Sequence, residues 1–167
     1  MIEGKPGIRK MTGLALDSNE YAPFYNFLCK NNIPLTLHAA DPKSLWDDSQ
    51  ASEYAKEQGW VYTGNGFCTK EEIENEVFGI LNKHDGINLI LAHFFFASDN
   101  LERASDLLDR YPNLSFDITP GIEMFLDFKK DIPGTKHFFE KYHKQIIFGT
   151  DNFDVASKKD EEDKKVI

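Results

Sequence analysis

Apolar residues gather in four short runs, and after each run they recur every three or four positions. The runs lie at 33–38, 87–93, 114–118 and 145–151. Nearly continuous apolar runs of this length fit the strands of a parallel sheet covered on both faces. A less regular run at 7–13 is expected to be a preceding strand. The intervening segments predict helices. Over 21–30, Phe24, Phe27 and Leu28 form one apolar stripe. The sequence Thr69-Lys70-Glu71-Glu72 is a capping box that opens a helix with Ile73, Val77, Ile80 and Leu81 turned inward. The stretch 101–111 places Leu101, Ala104, Leu107 and Leu108 together, and Pro112 stops it. Two more helical stretches, 121–130 and 135–144, are expected on either side of Pro133-Gly134. Strands alternating with helices imply right-handed crossovers and one parallel α/β layer.

Two regions leave this rhythm. The segment 41–67, with Trp46, Trp60, Tyr62 and a short helical piece near 52–58, is a long insertion directly after a strand end. Such insertions commonly cover a site. The segment 157–165 is a mixed charge run, read as a solvated end.

Composition narrows the class. The 167 residues are 41% hydrophobic and 13% aromatic, as in a folded domain, and 1–167 is expected to form a single one. A net charge of -9 argues against nucleic acid and anionic membrane as partners and says nothing specific about the substrate, which is expected to be a small molecule. No apolar run is long enough to span a bilayer, and no apolar leader opens the chain. A reducing, cytoplasmic setting is therefore expected. Cys29 sits in an apolar helical pattern and reads as a small core residue. Cys68 has no base motif beside it and is not read as a nucleophile.

The candidate chemistry lies where runs end. In parallel α/β barrels, functional groups occupy strand carboxyl ends and the loops that follow. His38 and His93 close their runs, and Asp151 follows Phe148-Gly149-Thr150 at the end of the last. Imidazole and carboxylate are donors for a divalent cation such as Zn²⁺, which lowers the pKa of a bound water. Other histidines read as structural. His84 stands at a helix carboxyl end, where a cation meets the dipole. His137 and His143 are six apart and share no helix face. Trp46 and Trp60 are open to two readings, loop packing or substrate stacking.

The set Leu35-Thr36-Leu37-His38, Leu89-Ile90-Leu91-Ala92-His93, Leu114-Ser115-Phe116-Asp117-Ile118 and Ile147-Phe148-Gly149-Thr150-Asp151-Asn152 resembles strands five to eight of the amidohydrolase superfamily. It is most similar to the amidohydrolase-related (amidohydrolase 2) branch, with the 7–13 run as strand four. The resemblance implies an incomplete (β/α)8 TIM-type barrel, roughly strands four to eight, with 41–67 as an active-site loop. It implies a metal-dependent hydrolase of amide, ester or lactone bonds, with decarboxylation of aromatic acids as the alternative. By resemblance His38 is a metal ligand, His93 a second ligand or a catalytic group, and Asp151 a ligand and general base. The cofactor implied is a divalent metal, zinc by donor type. Asp117, in the strand-seven position, becomes a candidate substrate contact, and Lys10 a candidate carbamylated or substrate-binding lysine. The family's His-x-His of strand one has no counterpart here. The chain is thus expected to be a piece of a longer enzyme, inactive alone or reliant on a homo-oligomer to cover its open sheet edges.

Overall fold

The computed structural model describes residues 2–64, 66–119 and 122–150. Among these residues five parallel strands stand in chain order: β1 (Ile2–Glu3), β2 (Leu35–His38), β3 (Leu89–Leu91), β4 (Leu114–Asp117) and β5 (Ile146–Ile147). The helices are α1 (Pro6–Thr12), α2 (Ala22–Lys30), α3 (Glu53–Glu57), α4 (Lys70–Lys83), α5 (Leu101–Arg110), α6 (Ile122–Phe128) and α7 (Ile132–Tyr142). The chain is therefore α/β with a parallel sheet. Among the described residues β1 and β5 are its two edges. None of the described helices is long and apolar enough to cross a membrane.

Register decides which strand residues reach the core. Leu35, Leu37, Leu89, Leu91, Leu114 and Phe116 are buried and share one apolar cluster with residues of α2, α4, α5 and α7. Their neighbours Thr36, Ile90 and Ser115 lie side by side in register and are only half-buried. Full cover on both faces, expected from the apolar runs, is thus not observed. Period-two alternation gives the helices one face and leaves the other partly open.

The run at 7–13 is a helix and not a strand. Pro6 occupies its first turn, where a missing N–H is harmless, and Gly13 ends it at φ 69°, which suits a residue without Cβ. Ile8 and Met11, three apart on this helix, are exposed, so the pattern never alternated. The first strand is instead Ile2–Glu3. Lys10 accordingly belongs to α1, with its ammonium 4.1 Å from the centre of the Phe67 ring.

In α2 the inward pair is Tyr25 and Leu28, while Phe24 and Phe27 are exposed. Tyr25 goes inward because its hydroxyl donates to the buried-side carbonyl of Leu16 at 2.7 Å. In α7, Pro133 and Gly134 lie inside the first turn; Asp131 caps the helix by accepting from Gly134 N at 3.0 Å. His84 is buried at the end of α4. Burial, then Lys83, lowers its pKa, which opposes the cationic form that the helix end favours.

The capping box of α4 forms as expected. Thr69 accepts from Glu72 N, and the Glu72 carboxylate accepts from Thr69 N at 2.7 Å. Ile73, Val77, Ile80 and Leu81 are all buried. Thr69→Ala is expected to lower stability by about 1 kcal/mol, read as a lower urea midpoint at unchanged slope.

Candidate functional site at the carboxyl edge of the sheet

The pairing register lines up the strand ends. Glu3 sits beside His38 across β1 and β2, and Leu37, Leu91 and Phe116 form a row across the next strands. His93 lies two residues beyond Leu91, so its ring comes from the mouth next to His38. The two imidazole centroids are 4.6 Å apart with planes at 61°. The Phe96 ring lies against both, 5.4 Å from His93 and 5.8 Å from His38.

Carboxylates flank the pair. His38 Nε2 is 3.3 Å from Asp41 Oδ1, and its Nδ1 is 3.8 Å from Glu3 Oε2. The opposite oxygen of Asp41 accepts from the Tyr62 hydroxyl at 2.6 Å. Burial, followed by that bond to Asp41, pushes the Tyr62 phenol far above its usual range, so Tyr62 acts here as a neutral donor. His38 is itself buried. The Asp41 side of this imidazole is buried, where such a contact gains strength, whereas Glu3 is a longer contact from a partly exposed carboxylate.

The backbone that carries His93 is unusual. His93, Phe94, Phe95 and Phe96 all have positive φ, between 47° and 56°. None is a glycine, so β3 leads into one left-handed turn built from bulky residues. Left-handed geometry costs roughly 1–2 kcal/mol per L-residue. Two kinds of contact hold the turn. Phe94 and Phe95 are fully buried. At its start, His93 N donates to Asp117 Oδ1 at 2.8 Å, and the same oxygen accepts from Thr119 N at 3.1 Å. Strain of this kind concentrates where function requires a fixed side-chain direction.

The 41–67 insertion folds onto this edge. It contains α3 and a small apolar cluster of Leu45, Ala51 and Ala55, packed by Trp46, Val61 and Tyr62. Its return brings Tyr62 to Asp41. The Trp46 indole N–H donates to Cys68 O at 2.9 Å, and its ring lies 5.0 Å from Tyr62. Trp60 is exposed and meets Tyr54 edge-on at 5.5 Å. Cys68 is half-buried, and burial raises its thiol pKa, away from nucleophilic use.

Of the residues expected from sequence, His38, His93 and Asp117 come together. Trp46 reaches the site only through Tyr62, and Trp60 packs on Tyr54. Asp151 lies outside the described residues. Glu3, Asp41, Tyr62 and Lys70 were not singled out for this site. Asp41 had a local signal, standing three residues after the strand-end His38. Glu3 is placed by strand register alone, and Tyr62 by the fold of the insertion.

The fit to a metal is partial. A catalytic zinc takes three protein ligands. Among the described residues no group of three or more His, Cys, Asp or Glu side chains is arranged to hold one. Both nitrogens of His38 face carboxylates of this chain. The described residues by themselves therefore do not make a zinc site. What they make is a paired-imidazole centre with acidic support, suited to moving protons and to orienting a polar substrate oxygen.

No family model matches the chain, and no curated protein matches it. Among solved structures, it is similar to 2,6-dihydroxybenzoate decarboxylase crystallised with 2,6-dihydroxybenzoate, at 18% identity and a TM-score of 0.42. The match covers 83% of this chain and 46% of the decarboxylase, so the chain spans about half the length of that enzyme.

Proposed function

We propose that the chain carries strands four to eight of an amidohydrolase-type barrel, and that its histidine pair belongs to an active centre working at a carbonyl or carboxyl carbon. The observation that supports this best is the meeting of His38 and His93, from neighbouring parallel strands, at the edge where such folds keep their chemistry. Groups 55 residues apart in sequence do not converge there, with Asp41, Glu3 and Asp117 behind them, by local propensity.

His38 is buried beside Asp41, whose contact at 3.3 Å orients the imidazole at the mouth, with Glu3 as a longer-range neighbour. His93, half-buried on the left-handed turn, is the proton carrier. In hydrolysis of an amide, ester or lactone, His93 takes a proton from water as its oxygen bonds to the acyl carbon, and returns that proton to the leaving nitrogen or oxygen as its bond to carbon breaks. In decarboxylation of an aromatic acid, His93 delivers a proton to the ring carbon as CO₂ departs. Both reactions use one proton carrier, and they differ in the atom that receives the proton. The proposal includes a divalent metal, zinc by donor type, only with Asp151 and His38 as ligands; His93 would then be either a further ligand or the proton carrier.

The test uses the native protein that carries this sequence. It is assayed on a panel of amides, esters, lactones and hydroxybenzoic acids, with products identified by mass spectrometry and metal content measured on the same sample. Turnover is expected for at least one class, with His38→Gln and His93→Gln each lowering kcat/KM on the order of a hundredfold. Hydrolytic products assign the first reaction and CO₂ release the second. Turnover unchanged in both variants would remove the histidine pair from the active centre. Metal content unchanged in His38→Ala and Asp151→Ala would remove the metal from the proposal.

A further inference from the structure

Lys70 sits where local rules disfavour it. It opens α4, at the positive end of the helix dipole, where an anion is preferred and a cation is not. It is also half-buried; burial lowers its pKa below the usual lysine value, against the partial offset of Glu74, Asp99 and Asp41. A capping box needs Thr69 and Glu72 and makes no demand on the residue between them. A residue that opposes its surroundings in two respects is placed for its contacts.

Those contacts converge on the site. The Lys70 ammonium donates to Asp41 O at 3.2 Å and to Phe96 O at 3.1 Å. Asp41 is the residue whose carboxylate meets His38. Phe96 is the last residue of the left-handed turn, and its ring lies against both imidazoles. One cation therefore bonds the loop that follows β2 to the turn that follows β3. Bonds from a charged donor to carbonyls are about twice as strong as neutral ones. The turn is held at its start by Asp117, and its far end has Lys70. The side chain also lines a cavity of about 730 Å³ with Glu74, Phe78, Phe96 and Arg103. Glu74 and Arg103 pair with each other at 2.6 Å, which leaves the lysine to the two carbonyls.

We infer that Lys70 is a positioning residue for the histidine pair, clamping the His38 loop to the His93 turn so that the two rings keep their edge-to-face contact. The inference rests on the reading of that pair as the active centre, and it names a residue that no strand-end pattern reveals. Lys70 touches neither imidazole and acts through Asp41 and Phe96.

The experiment reads geometry, so it requires no turnover. The full chain is labelled at histidine, and the nuclear Overhauser contact between the His38 and His93 rings is recorded. Lys70→Met keeps the length of the side chain and removes its donors. The ring-to-ring contact is expected to be lost in Lys70→Met, with Phe138 and Tyr142 of α7 unmoved, and to return in Lys70→Arg, which keeps a charged multiple donor. A contact retained in Lys70→Met overturns the clamp. So does its loss together with the α7 signals, since Lys70 would then support the fold at large. If the histidines prove catalytically idle while the contact still depends on Lys70, the clamp stands and the functional reading falls. If kcat/KM depends on the histidines while the contact ignores Lys70, the reverse holds.

Discussion

Phe94→Ala is expected to destabilise the chain by about 3–5 kcal/mol, read by urea unfolding. Phe94 is fully buried, and its ring lies 4.9 Å from Phe116 of β4, 5.1 Å from Phe128 of α6 and 5.5 Å from Phe138 of α7. No single element holds this cluster; it joins the sheet to two helices. Truncation leaves a cavity among rings that come from three directions, and rings on separate elements cannot all close in. There is a second consequence. Phe94 sits at φ 56°, and its burial is one of the gains that offset a left-handed backbone. Removing the ring keeps the strain and discards its compensation. Against a total stability of about 5–15 kcal/mol, the loss is a large fraction of what holds the fold. Phe148→Ala is the control. Phe148 is 78% exposed, and its loss should stay within about 0.5 kcal/mol. Equal effects at the two positions would refute the aromatic cluster as the centre of the core.

The fold could be read from sequence where a local signal agrees with the tertiary outcome. Strands β2 to β5 and helices α4 and α5 fall inside the predicted runs because apolar period, cap and breaker all point the same way. The segment 7–13 misled because Ile8 and Met11 look like strand residues, while the decisive features are Pro6 before them and Gly13 after. The stripe of α2 was misread because three apolar residues fit a helix face, and only the partner of the Tyr25 hydroxyl reveals which face turns inward.

The site divides in the same way. His38 and His93 were visible because a strand end is a local feature. Glu3 was not, since its place depends on pairing with a strand 35 residues later. The left-handed turn could not be read at all. Nothing in Ala92-His93-Phe94-Phe95-Phe96-Ala97 announces positive φ; bulky L-residues resist it, and Asp117, Lys70 and the buried rings support it. Sequence rules describe what residues prefer. Here the candidate site lies where packing overrides preference, and that is why its supporting residues were hidden while its histidines were plain.

Asp117→Ala is the sharpest probe of that support, expected to lower stability by about 2–6 kcal/mol and to release the His93 turn. Asp117 is buried, and its Oδ1 accepts from both His93 N and Thr119 N. Alanine leaves two inward backbone donors without an acceptor, each costing about 1–3 kcal/mol. Asp117→Asn keeps one oxygen able to accept both bonds and gives up only the charge, so roughly half the loss is expected. The pair of variants also separates two roles for this carboxylate. If Asp117 serves as the anchor of the turn, activity and the ring contact between His38 and His93 should fall in step with stability, alanine well beyond asparagine. If it touches substrate, as its strand-seven position suggested, asparagine should cut activity about as deeply as alanine while stability is largely kept. A destabilisation below about 1 kcal/mol in Asp117→Ala would mean that the turn holds itself, and that the anchoring bond to His93 N contributes little to the geometry of the histidine pair.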